Sequence, residues 1–323
     1  TMTWGGRGRW EAIGQVGQEA VNEQLKCAVE AGVNFIDTAN VYHEGWSEEL
    51  LGQAIRDTCI PREDLVIATK VRGRMRSGIN GMGLTRVHIH HEVDASLRRL
   101  GLDHIDLYQI HGLDPLTPID KTLWSLDDLV RSGKVRYIGI SNQAAWRIAK
   151  ANEIAKANRW SRFESVQAYY TLAGRDLERE VLPMCREESL GVMVWSPLAG
   201  GLLSGKFDRN SDGPEGARRT SFDFPPVDRE RAFSVVDAMR PIAETHDCSV
   251  ARIAQTWLLQ QPGITSAIIG AKTMEQLVDN LQAVDLTLTP AELETLDSAS
   301  ALPVEYPAWM ETFQNRDRMV LPD

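Results

Sequence analysis

The chain has 323 residues, a formal net charge of −10 and a hydrophobic content of 43%. That length is enough for one large domain or two ordinary ones, and the negative charge without a long basic run argues against nucleic acid or an anionic membrane as a partner. No apolar run reaches the roughly 18 residues of a membrane span, and the four cysteines form no C-x-x-C pair, which is typical of reduced thiols in a cytoplasmic protein.

One pattern recurs along the chain: an amphipathic helical stretch ends in glycine, and a short apolar run follows, as in "CAVEAGVNFID" and "LVRSGKVRYIGIS". Glycine suits the left-handed residue past a helix end, and the apolar run predicts a strand. Strands are predicted near residues 33–37, 65–70, 104–110, 135–140, 163–168, 191–195 and 265–269. We interpret "TMTW" as the tail of an eighth strand whose start is missing from the sequence.

Strand–helix alternation over the whole length predicts a parallel sheet. Eight such units in about 300 residues predict a single-domain (β/α)8 TIM barrel covering residues 1–323. A doubly wound sheet is the alternative, but it favours a G-x-G-x-x-G motif that the chain lacks. Residues 206–227 form a long loop, and 301–323 form a tail whose aromatic residues either pack on the exterior or line a substrate mouth.

Three successive predicted strands end in an ionisable residue, namely Asp37, Lys70 and His111. In a TIM barrel the active site lies at this end of the strands, and Tyr42 follows in the loop after Asp37. Polar strand ends that only meet water are the alternative interpretation. Together the four side chains suggest proton donation to a carbonyl oxygen by Tyr42, because a nearby ammonium lowers the pKa of a phenol from about 10.

Several longer motifs follow in order: "FIDTANVYHEGWSEELLG", "ATKV", "YQIH", "GKVRYIGISN", "VQAYY", "WSPLAGGLLSGK" and "AIIGAKTMEQLVDNL". In these motifs the chain resembles the aldo-keto reductases over nearly its whole length. The long segments after Lys70 and Lys206 resemble the branch that includes potassium-channel β subunits and bacterial ketone and aldehyde reductases.

The resemblance implies a role for each matching residue. The catalytic tetrad falls on Asp37, Tyr42, Lys70 and His111, with Tyr42 as the general acid. The implied cofactor-binding residues are Thr1, Met2, Asp37, Ser141, Asn142, Gln167, Trp195, Ser196, Leu198, Gly200, Lys206, Arg218, Gly270, Lys272, Gln276, Asp279 and Asn280. The expected substrate pocket comprises Trp4, Tyr42, Trp46 and His111. Residues 206–227 are expected to cover the cofactor.

The stretch "SPLAGGLLSGKF" nearly matches a P-loop, G-x-x-x-x-G-K, but Phe207 stands where that motif needs Ser or Thr. We interpret it as a glycine-bearing loop whose backbone approaches a pyrophosphate, with a simple surface turn as the alternative. His88, His91 and Glu92 share a helix face, but they lie away from the expected active face, and no metal site is predicted.

The expected function is NADPH-dependent, reversible reduction of an aldehyde or ketone, with a small-molecule carbonyl or alcohol as partner. NADH is possible, because Gln276 and Asp279 stand where many family members carry Arg and Glu. A homo-oligomer is also possible. Two alternatives stay open: a cofactor-binding regulatory subunit with little turnover, and a lyase or aldolase that uses Lys70 as a Schiff-base nucleophile.

Overall fold

The computed structural model describes residues 1–211, 213–214 and 216–316. Seven parallel strands are hydrogen-bonded in sequence order, each to its neighbour in the chain. They are β1 (Phe35–Asp37), β2 (Val66–Val71), β3 (Ile105–Ile110), β4 (Val135–Ser141), β5 (Phe163–Tyr169), β6 (Gly191–Trp195) and β7 (Ser266–Ile268). The seven predicted strands are thereby confirmed to within two residues at each end.

Helices separate the strands and cover the outside of the sheet. They are α1 (Gln18–Glu30), α2 (Trp46–Thr58), α3 (Arg86–Leu100), α4 (Ile119–Arg131), α5 (Ala145–Asn158), α6 (Val181–Glu187), α7 (Arg218–Ser221), α8 (Arg229–Thr245), α9 (Val250–Leu259), α10 (Met274–Leu281), α11 (Pro290–Ser300) and α12 (Ala308–Gln314). In the part of the chain that is described, no helix combines the length and apolar character needed to cross a bilayer.

The sheet curls into a nearly closed barrel. Phe35 of the first strand and Ile268 of the last pack against one interior cluster formed by Ala68, Leu107 and Met193. A larger core lies between the outer faces of the strands and the helices, as expected for parallel strands covered by crossover helices. The fold is therefore the (β/α)8 barrel that the alternating pattern predicts, and the doubly wound alternative is wrong.

Local signals in the sequence explain where several helices begin and end. Gly101 ends α3 in the left-handed conformation, with φ +70°, and its N–H bonds to the carbonyl of Leu97. The side chain of Thr273 accepts a hydrogen bond from the N–H of Gln276 at the start of α10. Thr289 and Glu292 form a reciprocal capping box at the start of α11.

Residues 1–4 form no strand among the described residues, contrary to the expectation for "TMTW". They lie between the two edges of the sheet. The nitrogen of Thr1 donates to the carbonyl of Asp37 at 2.9 Å, and the side chain of Thr3 approaches Gly270, just past β7. A single parallel bridge joins Trp4 to Val16.

The longest connection, between β6 and β7, carries α7 to α9. Its segment around α7 is fastened to the turn after β6 by Arg219, which donates to the carbonyls of Ala199 at 2.7 Å and Pro225 at 3.0 Å. Near the C-terminus, Trp309 and Phe313 of α12 are exposed. Their exposure favours an exterior position for α12, which lies within the predicted tail.

Candidate functional site

The predicted tetrad converges at the carboxyl end of the first three strands. Asp37 is the last residue of β1, Lys70 lies near the end of β2, and His111 directly follows β3. Tyr42 begins a short 3-10 turn between β1 and α2. Its ring meets the ring of His111 edge to face, with centroids 5.7 Å apart.

Lys70 is the centre of this arrangement. Its side chain has no exposed area, and Nζ donates to Asp37 Oδ1 at 2.5 Å, to the carbonyl of Thr38 at 2.8 Å and to Tyr42 Oη at 3.3 Å. Three acceptors satisfy the three donors of an ammonium group. The geometry thus holds one buried positive charge between a carboxylate and a phenol.

The pKa of Tyr42 differs from the sequence-based expectation. Burial raises it above the ordinary value of a phenol, and the attraction of Lys70 for the phenolate opposes that rise without overcoming it. The expected lowering is therefore wrong in direction for the protein alone, because the aromatic and apolar surroundings withdraw the phenol from water.

The pKa values of Lys70 and His111 are shifted in opposite directions. Burial works to lower the pKa of Lys70, but the charges of Asp37 and Tyr42 and the hydrogen bonds to both together outweigh it, and the pKa is raised. Burial and the nearby Lys70 lower the pKa of His111 to about 3. Near neutral pH the site therefore contains a charged lysine and an uncharged imidazole that can still donate one hydrogen bond.

Two buried glutamines hold the second oxygen of Asp37. Gln167 of β5 donates to Asp37 Oδ2 at 2.9 Å, and Gln109 of β3 donates to it at 3.2 Å. Gln167 belongs to the predicted cofactor set, whereas Gln109 was missed. The signal for Gln109 was available, because side chains two residues apart on a strand share a face and His111 had already been assigned to the barrel end.

Next to the tetrad lies a group made by the ends of β4 and β6. Ser141 is buried, and its hydroxyl oxygen has no hydrogen-bond partner among the described residues. Asn142 donates to the carbonyl of His111 at 3.2 Å and accepts from Trp195 Nε1 at 3.0 Å. The ring of Phe224 stacks on Trp195 with centroids 5.8 Å apart. The structure thus brings this predicted cofactor group together and adds Phe224, which sequence reasoning missed.

The glycine-bearing loop after β6 is a series of tight turns. Ser196 Oγ accepts from the N–H of Gly200 at 2.9 Å, and Leu198 is half-buried beside them. Gly200 has φ +69°, and a Cβ there would meet the carbonyl oxygen of Phe224 at 2.5 Å. Only glycine fits this close approach between two chain segments.

Three cations border that loop. The pKa of Lys206 is lowered by the loss of water around its amino group and by the positive charge of Lys272. The two lysines therefore repel each other. The Nε of Arg218 is buried and lacks a hydrogen-bond partner among the residues described. The predicted set therefore gathers positive charge near the glycine loop, with Lys206 beside Lys272 and Arg218 on α7.

The predicted cofactor residues after β7 do not converge on one point. Gly270 lies beside Thr3, and the side-chain carbonyl of Gln276 accepts from the N–H of Lys272 at 2.9 Å. Asp279 accepts from Arg252 at 2.7 Å and from Ser249 at 2.6 Å. Its carboxylate is already bound by neighbouring helices, which weakens its assignment as a ligand residue.

Asn280, the last residue of this set, is buried. Its side-chain oxygen accepts from Gln255 of α9 at 2.6 Å. The amide nitrogen is the group left to face a ligand.

Of the three site residues predicted near the N-terminus, two lie near the tetrad and one does not. Thr1 lies beside Asp37, and Met2 packs against the small cluster that contains Tyr42. Trp4, however, is buried in the main core, where its indole N–H donates to Gln24 at 2.7 Å. Its contacts do not support a place in the substrate pocket.

The side chain of Trp46 does not contact the tetrad either. It lies under the guanidinium of Arg7, 3.3 Å from the ring centre, and lines a groove of about 460 Å³ with Gln53 and Arg98. The aromatic residue that does reach the tetrad is Trp10, whose ring meets Tyr42 edge to face at 5.2 Å. Trp10 was missed, because it lies in a glycine-rich loop without periodicity.

Among the described residues no group of three or more His, Cys, Asp or Glu side chains has the geometry of a metal site. His91 instead pairs with Glu92 at 3.0 Å, and His88 Nδ1 lies 3.2 Å from the carbonyl of Asn80.

Comparisons with known proteins agree with this picture. A family model described as the Aldo/keto reductase family matches residues 1–301. The chain is 38% identical over 278 residues to the uncharacterized oxidoreductase YrpG of Bacillus subtilis, covering 84% of this chain and 83% of that protein. It is 35% identical to the versiconal hemiacetal acetate reductase of Aspergillus parasiticus, with 84% of each chain covered. It is 34% identical to the NADH-specific methylglyoxal reductase of Escherichia coli, with 90% of each covered.

Proposed function

The chain belongs to the aldo/keto reductase family, and from that premise we propose that it reduces an aldehyde or ketone to an alcohol with NADPH, with Tyr42 as general acid. Membership makes it an oxidoreductase that acts on the carbonyl or alcohol group of small molecules with a nicotinamide cofactor. The residue roles and the choice of NADPH are our proposal.

The observation that carries the proposal is the buried Asp37–Lys70–Tyr42 array. Lys70 Nζ lies 3.3 Å from the phenol oxygen, and Asp37 keeps the ammonium charged and fixed. A phenol with a raised pKa remains protonated at neutral pH, which is the form that a general acid needs. After the proton leaves, the adjacent ammonium stabilises the phenolate.

The residues present fit a nicotinamide dinucleotide. The unpartnered hydroxyl of Ser141 and the amide of Asn142 suit a carboxamide, and Trp195 offers an aromatic face. The glycine loop and Lys206 suit a pyrophosphate, which favours backbone N–H groups and positive charge. The anchoring of Arg219 supports a covering role for residues 206–227.

When bound, the cofactor supplies the hydride that reduces the carbonyl carbon. The protein's own part is to orient the carbonyl oxygen and deliver a proton to it. Tyr42 donates its phenolic proton to that oxygen, and neutral His111 donates a second hydrogen bond to it. Gln109 and Gln167 hold Asp37, so that the carboxylate stays paired with Lys70 throughout.

Lys272 supports a preference for NADPH, because its charge favours an additional phosphate on the adenosine ribose. The E. coli methylglyoxal reductase is named as NADH-specific, so relatives of this identity differ in cofactor. Thr273 caps α10, whose N-terminus adds further N–H donors.

The Schiff-base alternative is disfavoured by the same array. A nucleophilic lysine needs a depressed pKa, whereas Asp37 raises that of Lys70. No observation favours a regulatory subunit over an enzyme, since all four tetrad side chains are present and in contact or close.

A turnover screen tests the proposal. Purified protein is mixed with NADPH or NADH and a panel of aldehydes, ketones and reducing sugars, and nucleotide oxidation is followed at its absorbance maximum. We expect carbonyl-dependent oxidation of NADPH, with lower efficiency for NADH. Tight nucleotide binding without turnover would instead favour the regulatory subunit, and borohydride trapping of a substrate on Lys70 would favour the lyase.

A further inference from the structure

A second polar cluster lies on the opposite side of β2 from the tetrad, between the barrel and helices α2 and α3. Lys70 points into the barrel, and the preceding Thr69 points outward, as alternate residues of a strand do. Thr69 Oγ1 donates to Glu48 Oε1 at 2.5 Å, and Arg99 Nε donates to Glu48 Oε2 at 2.6 Å. Both Glu48 and Thr69 are fully buried.

Glu92 of α3 completes this outer cluster and reaches the segment that carries Tyr42. Its Oε2 accepts a hydrogen bond from Asn40 Nδ2 at 3.0 Å and lies 3.8 Å from Arg99. Glu92 is 1% exposed and Asn40 is fully buried. A buried carboxylate costs free energy unless it is paired and hydrogen-bonded, so the contact with Asn40 is part of what makes Glu92 tolerable here.

Asn40 also belongs to the chain segment that joins Asp37 to Tyr42. Residues 38–41 join Asp37 to Tyr42 and run along β2, with the N–H of Thr38 bonded to the carbonyl of Ala68 at 2.8 Å and the N–H of Asn40 bonded to that of Lys70 at 3.3 Å. The backbone bond of Asn40 to Lys70 is long, so its side chain supplies the stronger fixation of this segment.

We propose that Glu92 is a positioning residue: through Asn40 it fixes the segment between Asp37 and Tyr42, and so keeps the phenol oxygen beside Lys70 Nζ. Glu92 itself touches neither Tyr42 nor the substrate side of the barrel. This inference rests on the proposed function, because it concerns how the proposed general acid is held.

The test is a donor–acceptor exchange. Asn40→Asp places two carboxylates face to face and removes the hydrogen bond. Glu92→Gln in the same chain restores the bond with donor and acceptor reversed and returns the formal charge to that of the wild type. We expect N40D alone to lower kcat about 10- to 100-fold, because small misplacements of catalytic groups have effects of that order.

The double variant N40D/E92Q is expected to recover at least about 5-fold of that loss, a coupling typical of residues in direct contact. The KM for nucleotide should stay within about twofold of wild type in both, since the nucleotide side of the site is untouched.

Asn152→Asp is the matched control. Asn152 is likewise buried, and its side chain bonds to the backbone of Phe163, away from the tetrad. N152D should lower the unfolding temperature without changing kcat by more than about twofold. This comparison separates loss of stability from loss of positioning.

The outcomes are distinct. Wild-type kcat in folded N40D, no recovery in the double variant, or an equal fall of kcat in N152D at equal loss of stability would each overturn the inference while wild-type turnover upholds the proposed function. Wild-type protein that turns over no carbonyl compound would overturn both. If N40D does not fold, Glu92→Ala carries the test, because alanine offers no acceptor to Asn40: a folded E92A whose kcat falls no further than that of N152D at equal loss of stability would overturn the inference.

Discussion

The two ends of the proposed cofactor site are built differently. At the catalytic end the charged groups are buried and bind one another, and the side chains of Lys70 and Asp37 are 0% and 6% exposed. At the adenosine end Lys272 and Gln276 are exposed, and the Arg252–Asp279 pair is 22% and 29% exposed. Under the proposed function, the groups that carry the chemistry are fixed by adjacent strand ends, whereas we expect cofactor preference to depend on more exposed side chains that can change at little cost in stability.

The sharpest test of this contrast removes one cation at each end. Lys70→Met leaves Asp37 buried without its partner and is expected to lower the free energy of unfolding by about 3–5 kcal/mol. Arg252→Met breaks a partly solvated pair and is expected to cost about 1 kcal/mol or less. Urea unfolding of both variants measures the difference. Equal losses would mean that the two ends are equally dependent on their ion pairs.

Tyr42→Phe keeps the ring and removes the proton donor. We expect kcat for carbonyl reduction to fall by at least about 100-fold, the lower range for a general acid. Nucleotide affinity, measured by quenching of tryptophan fluorescence, should stay within about twofold, because the phenol oxygen contacts Lys70 rather than the predicted cofactor residues. Turnover near that of the wild type would remove Tyr42 from the proposed role.

The shifted pKa of His111 makes the stability of the protein depend on pH. That pKa is about 3 in the folded protein and about 6.5 in an unfolded chain. Between these values the unfolded state binds more protons, so the contribution of His111 to stability falls as the pH decreases below about 6.5, by at most about 1.4 kcal/mol per pH unit. Urea unfolding at several pH values should give a shallower acid slope for His111→Gln than for the wild type. Identical slopes would show that His111 titrates normally.

The smallest expected effect lies at the adenosine end. Lys272→Ala should raise the KM for NADPH about fivefold and leave that for NADH nearly unchanged, because an exposed charge pair contributes about 1 kcal/mol or less. Lys156→Ala, on the exposed face of α5, is the matched control. Steady-state kinetics with both nucleotides checks this, and wild-type protein with equal efficiency for NADH and NADPH would contradict the proposed preference.

Much of the fold was predictable because the regular part of the chain is strongly patterned. Apolar runs identified all seven strands, five of them directly after a helix-ending glycine, and the rule that barrel strands end at one face brought Asp37, Lys70 and His111 together. Residues 1–4 gave a wrong expectation, since a strand needs a hydrogen-bonded neighbour over several residues and Trp4 forms only one bridge, to Val16.

The rest could not be inferred, because it depends on tertiary contacts between distant segments. The approach of Trp10 to Tyr42 follows from the path of a glycine-rich loop, and Asp279 is bound by Arg252, 27 residues away. The pKa of Tyr42 was misjudged because a charge partner can be read from a sequence whereas the degree of burial cannot.

Lys206 has a consequence beyond its charge. The pKa of Lys206 is lowered, whereas that of Lys70 is raised, so at mildly alkaline pH a larger fraction of Lys206 than of Lys70 carries a free electron pair. Acylating reagents attack only the unprotonated amine, and Lys70 is in addition shielded from them by burial. Brief treatment with an amine-directed label should therefore mark Lys206 and spare Lys70. Comparing the labelling of Lys206 with and without nucleotide would therefore footprint the glycine loop.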